Sequence, residues 1–197
     1  MNIDYSGPPI DDRATLARLP RDLREVLEEA NGFIAFGGGL HLRGACTEPR
    51  WHSLGYWWTS DDALHRQFRV VLPDDIPFAE DALGDQFLLR DGEVHRMVGE
   101  SGELQPLGMG VRGFLDAAER DPEGFLMLDA LDAFRMQGGR LEPGQLLSVD
   151  PPFVAVESQN GVSMSPVPVE LRIGALAALV RRVEQLPDGA RLRISGE

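Results

Sequence analysis

Apolar residues recur along this chain with two different periods, and the places where the period changes outline the fold. Residues 13–30 put Leu16, Leu19, Leu23, Val26, Leu27 and Ala30 on one helical face. Pro20 suits a first helical turn, so a short helix and then a main helix over about 20–30 are expected. Asn31-Gly32 closes that helix with a left-handed residue. Phe33 to Phe36 reads as a short strand, Gly37-Gly38-Gly39 as a turn, and Leu40 to Ala45 as a weakly alternating second strand. Residues 1–12, with Pro8 and Pro9, read as a loose arm. Ser60 before two acids has the form of a capped helix start, with Leu64 and Phe68 on a shared face.

The middle of the chain alternates with period two. Asp85 to Arg90 places Phe87 and Leu89 on one face, and Glu93 to Val98 returns. Asp91-Gly92 between them is a two-residue hairpin signal, because both turn positions take positive φ. Such a loop pairs Arg90 with Glu93 and Leu89 with Val94. Glu100-Ser101-Gly102 turns the chain again into Leu104, which makes a β-meander. Helical spacing resumes over 111–119 and 121–137. Asp121-Pro122 opens the second stretch, Phe125, Leu128, Leu131 and Phe134 line it, and Gly138-Gly139 ends it. A second hairpin is expected over 146–165 around Gln159-Asn160-Gly161. An amphipathic helix over 168–186 follows, with Leu171, Leu176, Leu179, Val183 and Leu186, then a last strand over 191–194. Meandering strands and helices in separate blocks predict an α+β fold. One domain over 1–197 is expected, with a core at about 14–119 and a C-terminal extension at about 139–197, beyond the Gly/Pro-rich piece 138–144.

Composition narrows the function. The chain has 197 residues, 43% hydrophobic and 26% charged, which is ordinary for a globular protein. The apolar run ALAALV is far short of the ~18 residues of a membrane span. The start MNIDYSGPP lacks the basic and apolar regions of a signal peptide. Cys46 is the single cysteine, which fits a reducing compartment, so a cytoplasmic location is expected. All 19 basic residues are arginine, which excludes phosphate-loop and Schiff-base lysine chemistry. The net charge of −13 disfavours nucleic acid and membranes as partners and favours a basic protein.

The acid is concentrated. Asp74, Asp75, Glu80, Asp81, Asp85, Asp91, Glu93, Glu100 and Glu103 stand against only Arg90 and Arg96 between residues 74 and 103. Glu80, Asp81 and Asp85 are candidates for a hard-cation site, but the calcium-loop pattern D-x-[DN]-x-[DN]-G is absent. A turn at 80–84 followed by a strand would not converge them, so a solvated, partner-facing acidic rim is the expectation. His41, His52, His65 and His95 include no H-x-x-x-H pair and are expected at the surface or in turns. Cys46 lies near His41 and His52 in sequence, but no motif supports a Cys–His pair, and it reads as an inert thiol. There is no G-x-S-x-G, and Gly37-Gly38-Gly39 is followed by no G-K-[ST]. Trp51, Tyr56, Trp57 and Trp58 suit an interface anchor or a core, with strand alternation burying one of Trp57 and Trp58 and exposing the other. No catalytic residue, cofactor or metal is assigned. A carboxylate enzyme remains an alternative, and it requires Glu80, Asp81 or Asp85 to converge with a histidine in a concave pocket.

Three stretches together resemble the SUKH superfamily, the Smi/Knr group. They are the helix L-P-x-D-L-x-x-V-L-x-x-A-N-G-F (Leu19 to Phe33), IPFAEDALGDQFLLRDGEV (Ile76 to Val94) and E-S-G-E (Glu100 to Glu103). The most specific set is Pro77, Phe78, Asp81, Gly84, Asp85, Phe87 and Gly92. The order of elements matches over roughly residues 14–119, and the tail LLSVDPPFVAVESQNGVSMSPVPVE is similar to the C-terminal extension of longer bacterial members. The resemblance implies a curved antiparallel-rich sheet flanked by helices, a C-terminal hairpin-and-helix extension and a non-enzymatic, protein-binding role. In bacteria, members of this superfamily typically neutralise polymorphic toxins, often nucleases. No catalytic residue carries over; Gly84 and Gly92 match turn positions, Phe78 and Phe87 core positions. The partner-facing residues expected here are Asp74, Asp75, Glu80, Asp81, Asp85, Glu93, Trp57 and Trp58, meeting a basic toxin domain. A regulatory or scaffold module of the same superfamily is the other non-enzymatic alternative.

Overall fold

In the computed structural model, which describes residues 2–187 and 192–194, the first residues join the sheet rather than form an arm. Strand β1 (Ile3–Ser6) is an edge strand. Helices α1 (Arg13–Arg18) and α2 (Arg21–Glu29) follow, split at Pro20 as the sequence predicts. The Asp12 carboxylate caps α1 by accepting the Thr15 N–H at 2.9 Å. Gly32 stops the chain after α2 with φ +76, and a Cβ there would lie 2.6 Å from the Leu42 carbonyl oxygen. Strand β2 (Phe33–Ala35) pairs antiparallel with β1 on one side and with β3 (Leu40–Leu42) on the other.

Two short helices, α3 (Leu54–Thr59) and α4 (Leu64–Gln67), lead to the meander β4 (Ile76–Asp81), β5 (Gln86–Arg90), β6 (Glu93–Met97) and β7 (Leu104–Pro106). The seven strands form one antiparallel sheet in sequence order. The β5–β6 hairpin has the predicted register, Arg90 opposite Glu93 and Leu89 opposite Val94, with φ 51 at Asp91 and 85 at Gly92. Helix α5 (Val111–Arg120) follows. The helix expected over 121–137 is two helices, α6 (Pro122–Leu126) and α7 (Asp129–Met136), broken where Met127 adopts the left-handed conformation. Strands β8 (Gln145–Asp150) and β9 (Ser163–Pro168) form a separate ladder, and α8 (Val169–Val183) closes the chain's regular structure. Leu171 is 67% exposed, while Arg172 sits in the buried stripe of α8. Of the strand expected over 191–194, Arg191 lies outside the described residues and Leu192 makes a single parallel bridge to Ala155.

The fold is thus α+β, a seven-stranded antiparallel sheet flanked by helices and not closed into a barrel. Phe33, Leu40, Phe87, Leu89 and Val94 pack with Leu23, Leu27, Phe114 and Leu131 in one core. Leu88 and Met97 pack with Trp57, Phe68, Ile173 and Leu176 in another. The C-terminal elements therefore complete the second core. No helix among the described residues is long and apolar enough to cross a membrane.

One irregularity positions the acids. In β4 the register steps from Pro77 opposite Leu88 to Ala79 opposite Phe87, so Phe78 is an extra, bulged residue. Simple alternation would put Glu80 with Ile76 on the first-core face. After the bulge Glu80 stands opposite Gln86 and His41, and its neighbour Asp81 stands opposite Leu40 of the first core. Consecutive carboxylates are sent to opposite faces of the sheet.

Candidate functional site

Glu80 lies in a closed cluster. Its carboxylate accepts hydrogen bonds from Arg43 Nη2 at 2.6 Å, His41 Nδ1 at 2.9 Å and Gln86 Nε2 at 3.0 Å. Arg43 also donates to the Pro77 carbonyl at 2.8 Å and to Gln86 Oε1 at 2.7 Å, with its guanidinium 5.3 Å from the Trp57 ring. Burial acts to raise the Glu80 pKa, but the Arg43 charge and the hydrogen bonds from His41 and Gln86 outweigh it and hold the carboxyl below its ordinary value. A relay continues from His41 Nε2 to His52 Nδ1 at 2.8 Å and from His52 Nε2 to the Asn31 carbonyl at 3.1 Å. A carbonyl only accepts, so His52 carries its proton on Nε2, and the carboxylate fixes the His41 proton on Nδ1. With both rings neutral, no proton is left for the gap between them. Burial pushes both imidazoles down, His52 to about 4, and the Arg43 charge acts in the same direction. At neutral pH the relay is one proton short.

Asp81 lies in a different environment. Its Oδ1 accepts the N–H groups of Leu83, Gly84 and Asp85 at 2.9, 3.1 and 3.0 Å, folding the turn after β4, where Gly84 has φ +92. Its Oδ2 accepts from Arg96 Nη2 at 3.1 Å, and Asp85 takes Arg96 Nε at 2.8 Å and the Gly99 N–H at 2.8 Å. Glu100 accepts the Val154 N–H at 3.0 Å on Oε2. Its Oε1 is buried without a hydrogen bond, 3.5 Å from Arg172 Nη2. Three carboxyls thus face two guanidiniums. Burial, and for Asp81 the adjacent Asp85 charge, raise Asp81 well above the usual carboxylate range and raise Glu100 as well.

Asp85, Arg96 and Glu100 of this second cluster line an open cleft of about 640 Å³, with Asp81 and Arg172 outside its lining. Its walls come from Leu83, Val98 of the meander, Ala130 and Ala133 of α7, and Phe153, Val154, Val162 and Met164 around the β8–β9 connection. Arg96 Nη1 donates to the Met127 thioether at 2.8 Å, so the left-handed break between α6 and α7 brings an apolar side chain onto the charged floor. Among the described residues no group of three or more His, Cys, Asp or Glu side chains is placed to hold a metal ion.

The acidic rim expected from the sequence is largely internal. Asp75, Glu80, Asp81 and Asp85 are buried, Asp75 through a two-pronged contact with Arg90 at 2.7 and 2.6 Å. A charge taken out of water needs such a partner, and Arg43 just after β3, Arg90 of β5 and Arg96 of β6 supply it. Asp74 is exposed, and Glu93 is half-buried, accepting the Gly108 N–H at 2.8 Å. Trp57 and Trp58 are both buried, because they lie on a helix rather than a strand: Trp58 joins the first core and Trp57 the second. His41 and His52, expected at the surface or in turns, are buried too. Sequence reasoning missed Arg43, Gln86, Arg172 and Met127. For Arg172 a signal existed, its helical spacing with Val169, Ile173 and Leu176.

No protein-family model matches the chain, and no curated protein or solved structure is significantly similar to it.

Proposed function

We propose that this chain is a non-enzymatic protein-binding module of the immunity type, which neutralises a basic toxin domain by binding it. The observation that carries this reading is the role of the residues behind the SUKH resemblance. Phe78 and Phe87 are core residues, Gly84 and Gly92 are left-handed turn residues, and Asp81 ties a turn through three backbone N–H groups. The pattern is a fold signature, and the α+β architecture it implies is the one observed. Buried acids outnumber buried arginines by only two, so most of the net charge of −13 lies outside the buried core of the described residues. Such a field accelerates encounter with a cationic partner.

The test is a pull-down from the source organism's lysate with the full chain as bait, washed at low and high salt. A stoichiometric basic partner that arrests growth when expressed alone, and is silenced by co-expression of this chain, is the expected result. A partner whose toxicity is unaffected would leave a regulatory module of the same kind, and no stoichiometric partner would count against binding altogether. Catalysis is the second reading. It is favoured by the convergence of Glu80 with His41 and His52 beside a cavity of about 280 Å³ that His41 lines with Tyr5 and Gly38. His41 Nδ1 is committed to Glu80 and its Nε2 faces the His52 ring at 2.8 Å rather than a substrate, which weighs against it.

A further inference from the structure

We infer that Asn160 is a site of spontaneous covalent modification, losing its side-chain amide through a cyclic imide, while the structure locks Asn31 against the same reaction. The chain has three asparagines, Asn2, Asn31 and Asn160, and the last two each precede a glycine. Glycine matters because the attacking group is the amide nitrogen of the following residue, and a residue without a Cβ leaves it unhindered. Asn2 precedes Ile3, whose branched side chain crowds that nitrogen. Sequence alone therefore ranks Asn31 and Asn160 together, and the fold separates them.

Asn160 ends the short 3-10 turn Val156–Asn160 in the connection from β8 to β9. It is exposed, and its side chain makes no hydrogen bond among the described residues. Gly161 has φ +107, and a Cβ added there would meet nothing within 4 Å. The only bond to open is the one that closes the turn, from the Gly161 N–H to the Ser158 carbonyl at 3.1 Å. Asn31 has the corresponding bond, from the Gly32 N–H to the Ala30 carbonyl at 2.7 Å, and two more. Its Nδ2 donates to the Pro8 carbonyl at 2.8 Å, and its Oδ1 accepts the Ala45 N–H at 2.7 Å. Its side chain cannot swing toward Gly32 until both are broken. At ordinary net strengths, two extra hydrogen bonds make Asn31 about 30-fold slower than Asn160.

The step balances without any co-reactant but water. The Gly161 amide gives up its proton to solvent base and its nitrogen attacks Asn160 Cγ. The Cγ–Nδ2 bond breaks, ammonia leaves, and the imide ring remains. Water opens the ring at Cγ to give aspartate, or at the backbone carbonyl carbon to give isoaspartate, whose main chain is one carbon longer. Either product makes the chain one unit more negative than −13. The change falls beside Val162 of the cleft wall and just before β9, where Ser163 pairs with Asp150.

The experiment incubates the full chain in mildly alkaline buffer made with heavy-oxygen water, folded in one sample and unfolded in urea in another. Peptides are then mapped by mass spectrometry over time. In the folded chain, the peptide holding Asn160 should gain one heavy oxygen and split into aspartate and isoaspartate forms. The Asn31 peptide should convert about 30-fold more slowly. In urea the two should convert at similar rates, because the Pro8 and Ala45 bonds are gone. Equal rates in the folded chain, or a faster Asn31, overturn the inference. So does an Asn160 that converts in urea and stays intact when folded. An Asn31 that lags equally in urea would trace the difference to neighbouring sequence and overturn the lock. Aspartate without isoaspartate would mean direct hydrolysis and overturn the imide route.

Discussion

Glu80 and Asp81 are adjacent in sequence and end in opposite surroundings. The Glu80 cluster is covered by Trp57, its carboxylate accepts from Arg43, His41 and Gln86, and its pKa is held down. The Asp81 cluster shares one arginine between two carboxylates, borders an open cleft through Asp85 and Arg96, and the Asp81 pKa is pushed up. Both are buried and both are built from acid and arginine, so burial alone does not set the direction in which a carboxyl's pKa moves. What separates them is balance: Glu80 has Arg43 and two further donors to itself, whereas Asp81 shares Arg96 with the adjacent Asp85.

The largest expected effect lies in the closed cluster. Glu80→Ala strands the Arg43 guanidinium in the second core and should cost about 3–5 kcal/mol in urea unfolding. An effect below about 1 kcal/mol would mean that Arg43 finds other partners and that the cluster is not a lock.

Next in size is the acid response of the histidine relay. The folded-state pKa values of His41 and His52 are depressed, His52 to about 4. Between the unfolded value of about 6.5 and that folded value the unfolded chain binds more protons, so stability falls as pH falls through this window. The loss should be roughly 2–3 kcal/mol, and His52→Gln should flatten it.

Asp81→Asn should be far milder than its neighbour's loss, about 1 kcal/mol or less, because it keeps an acceptor for the turn and relieves repulsion from Asp85. The smallest effects belong to the outward acids: Asp74→Arg and Glu93→Arg should change unfolding free energy by no more than about 0.5 kcal/mol. Whatever they alter should be the rate and salt dependence of partner association.

Local chemistry made much of the fold legible. Asp91-Gly92 specifies both a positive-φ turn and its register, and Asp121-Pro122 starts a helix at the predicted place. The face of Glu80 was not legible, because it depends on a single bulged residue, Phe78, that no turn residue announces. The acid run between residues 74 and 103 reads as solvent-facing because most charge runs are. Two of its partners, Arg43 and Arg172, lie outside that run and reach it only through sheet and helix packing. His41 could have been read correctly from Leu40-His41-Leu42, once the strand was known to be covered on both faces. The tryptophans misled because α3 is only six residues long and contains Gly55, too short for helical spacing to stand out.

The most direct measurement is urea unfolding of the parent chain, Glu80→Gln and Asp81→Asn at several values from about pH 4 to about pH 8. Glu80 has a lowered folded pKa, so its stabilisation is complete well above the unfolded value and vanishes in acid; the cost of Glu80→Gln should grow as pH rises. Asp81 has a raised folded pKa, so ionising it costs stability; Asp81→Asn should gain on the parent as pH rises. Opposite slopes are the expected result. Parallel slopes would mean that the two carboxylates share one environment, and the distinction between a compensated and a crowded carboxylate would fall.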